Sequence, residues 1–196
     1  MNISRMSVNN SELKAICDGL EALIGLEKLN MISSIKGNQA IIFASCLQFL
    51  PGLVELNIGD MRADDTGIKA ICDGLKTATR LEKLNMYKCI RSHEQARIFA
   101  SCLEFLSRLV ELNIGGLLSI DDLQQEGGVK AIVQALKRVT TLTHLDLVKW
   151  RPKSRHKWIF KIMQEEGFQT NKIRTMEVIK GKVHFRLVVI EVIITL

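Results

Sequence analysis

The chain reads as an α/β solenoid, a row of stacked strand-and-helix units, on three observations. The first is duplication. Lys14–Leu20 recurs letter for letter at Lys69–Leu75, Leu26–Met31 at Leu81–Met86, Phe43–Leu47 at Phe99–Leu103 and Leu53–Gly59 at Leu109–Gly115. The offsets are 55 or 56 residues, so one long unit has been copied with one residue gained. The second is an L-x-x-L-x-[LIM] motif starting at Leu26, Leu53, Leu81, Leu109 and Leu142. The third is an apolar stripe with helical spacing ahead of each motif. Regular self-similarity of this kind marks a stacked array rather than a body with one central core.

Each element follows from its spacing. The stripes are Leu13/Ile16/Leu20/Leu23, Ala40/Phe43/Leu47/Leu50, Ile68/Ile71/Leu75/Ala78, Ala96/Phe99/Leu103/Leu106 and Val129/Ile132/Leu136/Val139. Steps of three, four and three residues put each set on one helical face. In the motifs, alternate residues point to opposite sides of a strand. A short strand and a helix of about three turns cannot bury their apolar sides alone, so the units must stack into one continuous core. About five strand motifs are expected within residues 12–150. Residues 1–11 read as an N-terminal tail, and 151–196, where the register is lost, as a divergent α+β cap or extension. In that last part Trp158–Met163 suggests a helix ending near Gly167, and Val178–Val183 a hairpin turn leading to a strand over 184–196. The chain starts almost directly in a repeat helix, as a fragment of a longer protein would.

On these residues the chain resembles the leucine-rich repeat of ribonuclease-inhibitor type, with a period near 28. Asp65-Thr66-Gly67-Ile68-Lys69-Ala70-Ile71 and Gly127-Gly128-Val129-Lys130-Ala131-Ile132 resemble helix starts in the repeat regions of NOD-like receptors. Cys89 stands eight residues after Leu81, where the family often has Cys or Asn; Ser34, Met61, Leu117 and Trp150 stand there in the other copies. The resemblance implies a horseshoe with parallel strands on its concave side and helices outside. It implies a ligand-sensing or autoinhibitory region of an innate immune receptor, or a fragment of one. Ribonuclease-inhibitor-like or GTPase-activating-protein-like regulation of another enzyme is the alternative.

Composition narrows the classes. The apolar share of 47% suits a buried core. Polar residues interrupt the first ten positions, unlike a signal peptide, so a cytoplasmic protein is expected. No stretch approaches the ~20 apolar residues of a membrane span. The five cysteines flank the helical stripes without a C-x-x-C pair, which suits small apolar thiols between helices. Cys89 and His93 form a lone C-x-x-x-H with no second pair, too little for zinc. No phosphate loop, nucleophile elbow or zinc-protease motif is present, and the histidines lack partners at catalytic spacing. Asp64-Asp65 and Asp121-Asp122 sit at helix entrances, where negative charge suits the helix dipole. No catalytic residue, cofactor or metal is expected.

What remains is surface. The residues expected on the concave face are Glu27, Lys28, Asn30 and Ile32; Glu55 and Asn57; Glu82, Lys83, Asn85 and Tyr87; Glu111 and Asn113; and Thr143, His144, Asp146 and Val148, with Trp150 beyond. Asn30, Asn57, Asn85, Asn113 and Asp146 read as a polar column flanked by Glu27, Glu55, Glu82 and Glu111. Tyr87 and Trp150 supply the aromatic anchors that often dominate interface energy. The two long copies agree at about two thirds of their positions, exposed ones included, so surface identity between them reflects duplication. The formal charge of +6 belongs to residues 149–196, densest at Lys149, Arg151, Lys153, Arg155 and Lys157. A solvated cap is the simplest use of that segment; nucleic-acid contact is an alternative without a motif. The sequence therefore predicts a non-catalytic module whose partner is another protein.

Overall fold

The computed structural model describes residues 1–116, 127–146, 165–167, 175–179 and 182–186. Five helices alternate with five short strands: α1 (Asn10–Glu21), β1 (Lys28–Asn30), α2 (Gln39–Leu47), β2 (Glu55–Asn57), α3 (Asp65–Leu75), β3 (Lys83–Asn85), α4 (His93–Leu103), β4 (Glu111–Asn113), α5 (Gly127–Leu136) and β5 (His144–Asp146). β6 (Thr175–Ile179) and β7 (Lys182–Arg186) follow as an antiparallel pair, so Val178, Ile179, Lys182 and Val183, expected in a turn, lie in strands. The expected helix over Trp158–Met163, the acids Asp121 and Asp122, and residues 187–196 lie outside the described residues.

The strands β1 to β5 form one parallel sheet in sequence order. Register is set by burial: Leu29, Leu56, Leu84, Leu112 and Leu145 align across it and are all buried. A slip of one residue would turn every leucine outward. Consecutive helices pack against one another behind the sheet, α1 on α2 through to α4 on α5. A single apolar cluster runs from Leu13 to Leu145 between the two layers. Four of the five predicted stripes are buried throughout, with Phe43 and Phe99 fully enclosed. The first stripe departs at Ile16, which is only partly buried, and at its end. Leu23 is 43% exposed and neighbouring Ile24 72%. α1 packs on α2, whereas α3 and α4 each pack on a helix to either side.

Local chemistry sets the helix starts. Asn9 caps α1 in a reciprocal capping box with Glu12. Asp64 accepts from the Gly67 N–H at 2.8 Å, and Ser92 from the Gln95 N–H at 3.0 Å. These bonds satisfy backbone donors that a helix start leaves open. α2 has no side-chain cap; buried Gln39 instead accepts from the Lys36 N–H and donates to the Val8 carbonyl. Gln95, its counterpart in the second copy, bonds Arg91 and Ala63 in the same way. These two amides tie each even-numbered helix to the repeat before it.

The first residues also join the sheet. The Ile3 N–H donates to the Asn30 carbonyl at 2.9 Å and the Asn30 N–H to the Met1 carbonyl at 3.0 Å. Met1-Asn2-Ile3 therefore stands beside Leu29-Asn30-Met31 as a short parallel extension. At the other end Glu166 lies against α5, paired with Lys137 at 2.8 Å and Lys130 at 3.6 Å, and those ammonium groups hold its carboxyl below the usual range. Gly167 follows in the left-handed region, φ +82°, a conformation glycine adopts without a Cβ penalty.

Candidate functional site

The outward residues of the five strands line one continuous groove of about 360 Å³. Two columns make its floor. The first is Lys28, Glu55, Lys83, Glu111 and His144, aligned residue for residue across the sheet. The second is Asn30, Asn57, Asn85, Asn113 and Asp146.

The register revises the expected charge pattern. Glu55 and Glu111 do not continue a row with Glu27 and Glu82; they align with Lys28 and Lys83. Lys28 pairs with Glu55 at 2.8 Å and Lys83 with Glu111 at 2.7 Å, and Glu111 holds the Lys83 ammonium above its usual range. The column alternates in sign because the copied unit contains one Lys-bearing and one Glu-bearing strand. Counting from the first leucine of each motif places Lys28 and Glu55 at the same position, so the alternation was present in the sequence. Glu27 and Glu82 stand one residue earlier, in line with Val54, Val110 and Thr143. Glu82 turns to Arg108 at 3.7 Å. The groove is thus polar but close to neutral.

The asparagine column has a structural duty. The Oδ1 atoms of Asn2, Asn30, Asn57, Asn85 and Asn113 accept from the backbone N–H two residues on, in Ser4, Ile32, Gly59, Tyr87 and Gly115, at 2.9–3.1 Å. Each bond closes the turn leaving a strand, a local arrangement to which Asn is suited. One residue further, Arg5, Ser33, Asp60, Lys88 and Gly116 all have positive φ, between 57° and 76°. The turn therefore needs a left-handed residue in every copy, and only the last is glycine. With Oδ1 engaged, the Asn Nδ2 groups are what this column can offer a partner. We expect Asn57→Ala to destabilise the chain by about 1 kcal/mol and Asn57→Asp, which keeps the acceptor, by much less. Urea unfolding monitored by circular dichroism measures both.

The remaining candidates divide. Tyr87 is half-buried at the end of β3, with the Lys88 ammonium 5.2 Å from its ring centroid. Ile32 is partly buried after β1, and Thr143 and His144 are exposed, their side chains 2.8 Å apart. Val148, Trp150 and the basic residues Lys149, Arg151, Lys153, Arg155 and Lys157 lie outside the described residues. Cys17, Cys46, Cys72, Cys89 and Cys102 are free and buried. Cys89 donates to the Ile58 carbonyl at 3.1 Å, and burial pushes its thiol up to about 12, away from the thiolate a metal would need. Among the described residues no three His, Cys, Asp or Glu side chains gather as a metal cluster, and no helix is long and apolar enough to cross a membrane. Sequence reasoning missed Phe49 and Phe105, 41% and 48% exposed on equivalent helix-to-strand loops. Their position two residues after the last helical leucine was the available signal.

Comparison with known proteins adds a relative and a fold. No family model matches the chain. It is 29% identical over 143 residues to human NACHT, LRR and PYD domains-containing protein 13, and 26% over 136 residues to mouse NACHT, LRR and PYD domains-containing protein 12. The likeness is partial. It covers 71% and 68% of this chain but 13% and 12% of those proteins, so the chain spans about an eighth of the length of the curated relatives it matches. Among solved structures, leiomodin-1 actin-binding site 2 (ABS2) superposes with a TM-score of 0.54 at 17% identity, covering 85% of this chain and 86% of that one. That match concerns architecture alone.

Proposed function

We propose that the chain is a protein-interaction module of leucine-rich-repeat type, docking another protein on the open face of its parallel sheet. The observation that carries this reading is the groove, whose floor consists of aligned side chains from all five strands. Such solenoid faces serve as extended binding surfaces. Residues 12–150 would form the curved array, with this face concave, and 151–196 would cover its last repeat. The partial likeness to NACHT, LRR and PYD domains-containing proteins supports a role as the ligand-sensing or autoinhibitory region of a cytoplasmic NOD-like receptor or of a shortened relative. The absence of any recognisable catalytic motif supports a non-catalytic role. The near-neutral columns place inhibition of a basic nuclease lower, since that task favours an acidic face.

Two residues beyond the groove-lining Asn85, partly buried Tyr87 is the proposed aromatic anchor. Buried Tyr and Trp dominate many interfaces, where truncation costs about 2 kcal/mol or more. The test is a pull-down with the 196-residue chain, quantified by mass spectrometry, against Tyr87→Ala and against Lys69→Ala on the exposed face of α3. Captured partner should fall about 30-fold for Tyr87→Ala, the equivalent of 2 kcal/mol, and stay unchanged for Lys69→Ala, with identical circular dichroism. Equal capture by all three proteins would remove the groove as the docking site.

A further inference from the structure

The floor of the groove is rich in hydrogen-bond donors. Asn30, Asn57, Asn85 and Asn113 each spend Oδ1 on the backbone N–H two residues on, which leaves the donor Nδ2 for the groove they line. Among the described residues no acceptor is paired with these four Nδ2 groups. In the other column Lys28, Lys83 and His144 stand on the first, third and fifth strands, with Glu55 and Glu111 between them. Lys28 and Lys83 each pair with one glutamate, at 2.8 and 2.7 Å. An ammonium carries three N–H donors, so each lysine keeps donors to spare. A basic side chain therefore recurs at every second strand, about 9.6 Å apart at the usual strand spacing.

We infer that the groove takes an extended, proline-rich segment of a partner protein with an acidic side chain at every third residue. The inference rests on the docking role proposed above for this face. A polyproline II chain rises about 3.1 Å per residue and repeats every three residues, about 9.3 Å. Acids at i, i+3 and i+6 then stand opposite Lys28, Lys83 and His144, with a mismatch under about 1 Å along the groove. Acids one strand apart would instead meet Glu55 or Glu111. Proline has a carbonyl but no N–H, and the polyproline II backbone makes no internal hydrogen bonds. Such a backbone presents acceptors alone to a column of Asn donors.

Width and pitch argue against other occupants. The two columns are two strand residues apart, about 6.6 Å, whereas a helix with its side chains is about 10–12 Å across. A helix also spends its carbonyls on its own hydrogen bonds, leaving the Asn column without acceptors. A chain in β conformation repeats a face every two residues, about 6.7 Å, out of step with the basic side chains. These 196 residues hold two prolines, Pro51 and Pro152, so no segment among them is such a run and the occupant is another protein. Tyr87, two residues beyond Asn85, adds the aromatic contact on which proline-rich segments dock.

The experiment is fluorescence anisotropy of a labelled Glu-Pro-Pro-Glu-Pro-Pro-Glu peptide titrated with the 196-residue chain. Saturable binding is expected. It should be weaker by about tenfold or more for Glu-Pro-Pro-Pro-Glu-Pro-Pro-Pro-Glu and for Lys-Pro-Pro-Lys-Pro-Pro-Lys. Exchanging the pair, Lys83→Glu with Glu111→Lys, keeps the net charge and an ion pair but moves the middle cation one strand on. That exchange should weaken binding about tenfold with unchanged circular dichroism, while Lys69→Ala on α3 has no effect. Equal binding of the three peptides would overturn the inference. So would indifference to the exchange, or tighter binding of a helical peptide of three Glu-Ala-Ala-Ala-Lys units. No binding of the first peptide, with Tyr87→Ala still lowering partner capture, would overturn it and leave the docking face standing. No peptide binding together with equal capture by Tyr87→Ala would remove the face as well.

Discussion

Phe99→Ala is expected to remove about 3–5 kcal/mol from the unfolding free energy, the usual cost of emptying a fully enclosed phenylalanine site. The side chain is wholly buried in α4, at the junction of sheet and helix layers. Truncation leaves a cavity that two packed layers close only in part. A domain of this size has about 5–15 kcal/mol in total. The loss is therefore a large share of the total, and the repeats on either side lose the interface through which they stabilise one another. Phe105→Ala in the same repeat is the control. That ring is 48% exposed, and its removal should cost less than about 1 kcal/mol. Guanidinium unfolding of both variants measures the contrast. Similar losses for the two would mean that the helix layer does not enclose Phe99 as described.

The second large effect separates two glycines in identical sequence. Gly19 and Gly74 occupy the same place in the duplicated Lys-Ala-Ile-Cys-Asp-Gly-Leu segment. Around Gly19 a Cβ would meet nothing within 4 Å; at Gly74 it would lie 2.7 Å from the Ala44 carbonyl oxygen and 3.0 Å from Leu47 Cδ1. Gly74 is where α3 closes on α2, and a backbone oxygen cannot yield as a flexible side chain can. Gly74→Ala should destabilise by about 1–3 kcal/mol through overpacking. Gly19→Ala should stabilise by up to about 1 kcal/mol, since alanine is the better helix former. Effects of the same sign from the same measurement would contradict the order in which α1, α2 and α3 stack.

Those glycines show what duplication makes legible and what it hides. The strand leucines and helical stripes could be read directly, because burial on one face forces a fixed period that random sequence does not keep. The parallel order of the strands was implied by the resemblance to the leucine-rich repeat, and the sheet runs β1 to β5 in sequence order. Stacking order does not change the letters but changes their surroundings. Leu23 follows the stripe rule and is nevertheless exposed, and Gly19 shares a heptapeptide with Gly74 without its neighbour. The site was legible in part. The pairing of Lys28 with Glu55 depends on register, which a list of outward residues does not record. The asparagines were read as surface, and their first duty is to hold the turns. That role was signalled by the same residue recurring at every strand end, Asn2 included. Gln39 and Gln95 escaped notice because a helical stripe counts apolar residues and passes over an amide buried for its hydrogen bonds. Past Trp150 no period remains, and pattern reasoning loses its hold there.

The central claim is that neighbouring copies lie parallel and in register, so that like residues form columns. Solution NMR of the isotope-labelled chain tests this through scalar couplings across backbone hydrogen bonds. The structure predicts couplings from the Ile58 N–H to the Asn85 carbonyl and from the Met86 N–H to the Asn113 carbonyl, whose N···O distances are 2.9 and 2.7 Å. Finding both would establish adjacent parallel strands at the stated register. Couplings to any other carbonyl, or an antiparallel pattern between these segments, would contradict the columns and the groove built on them.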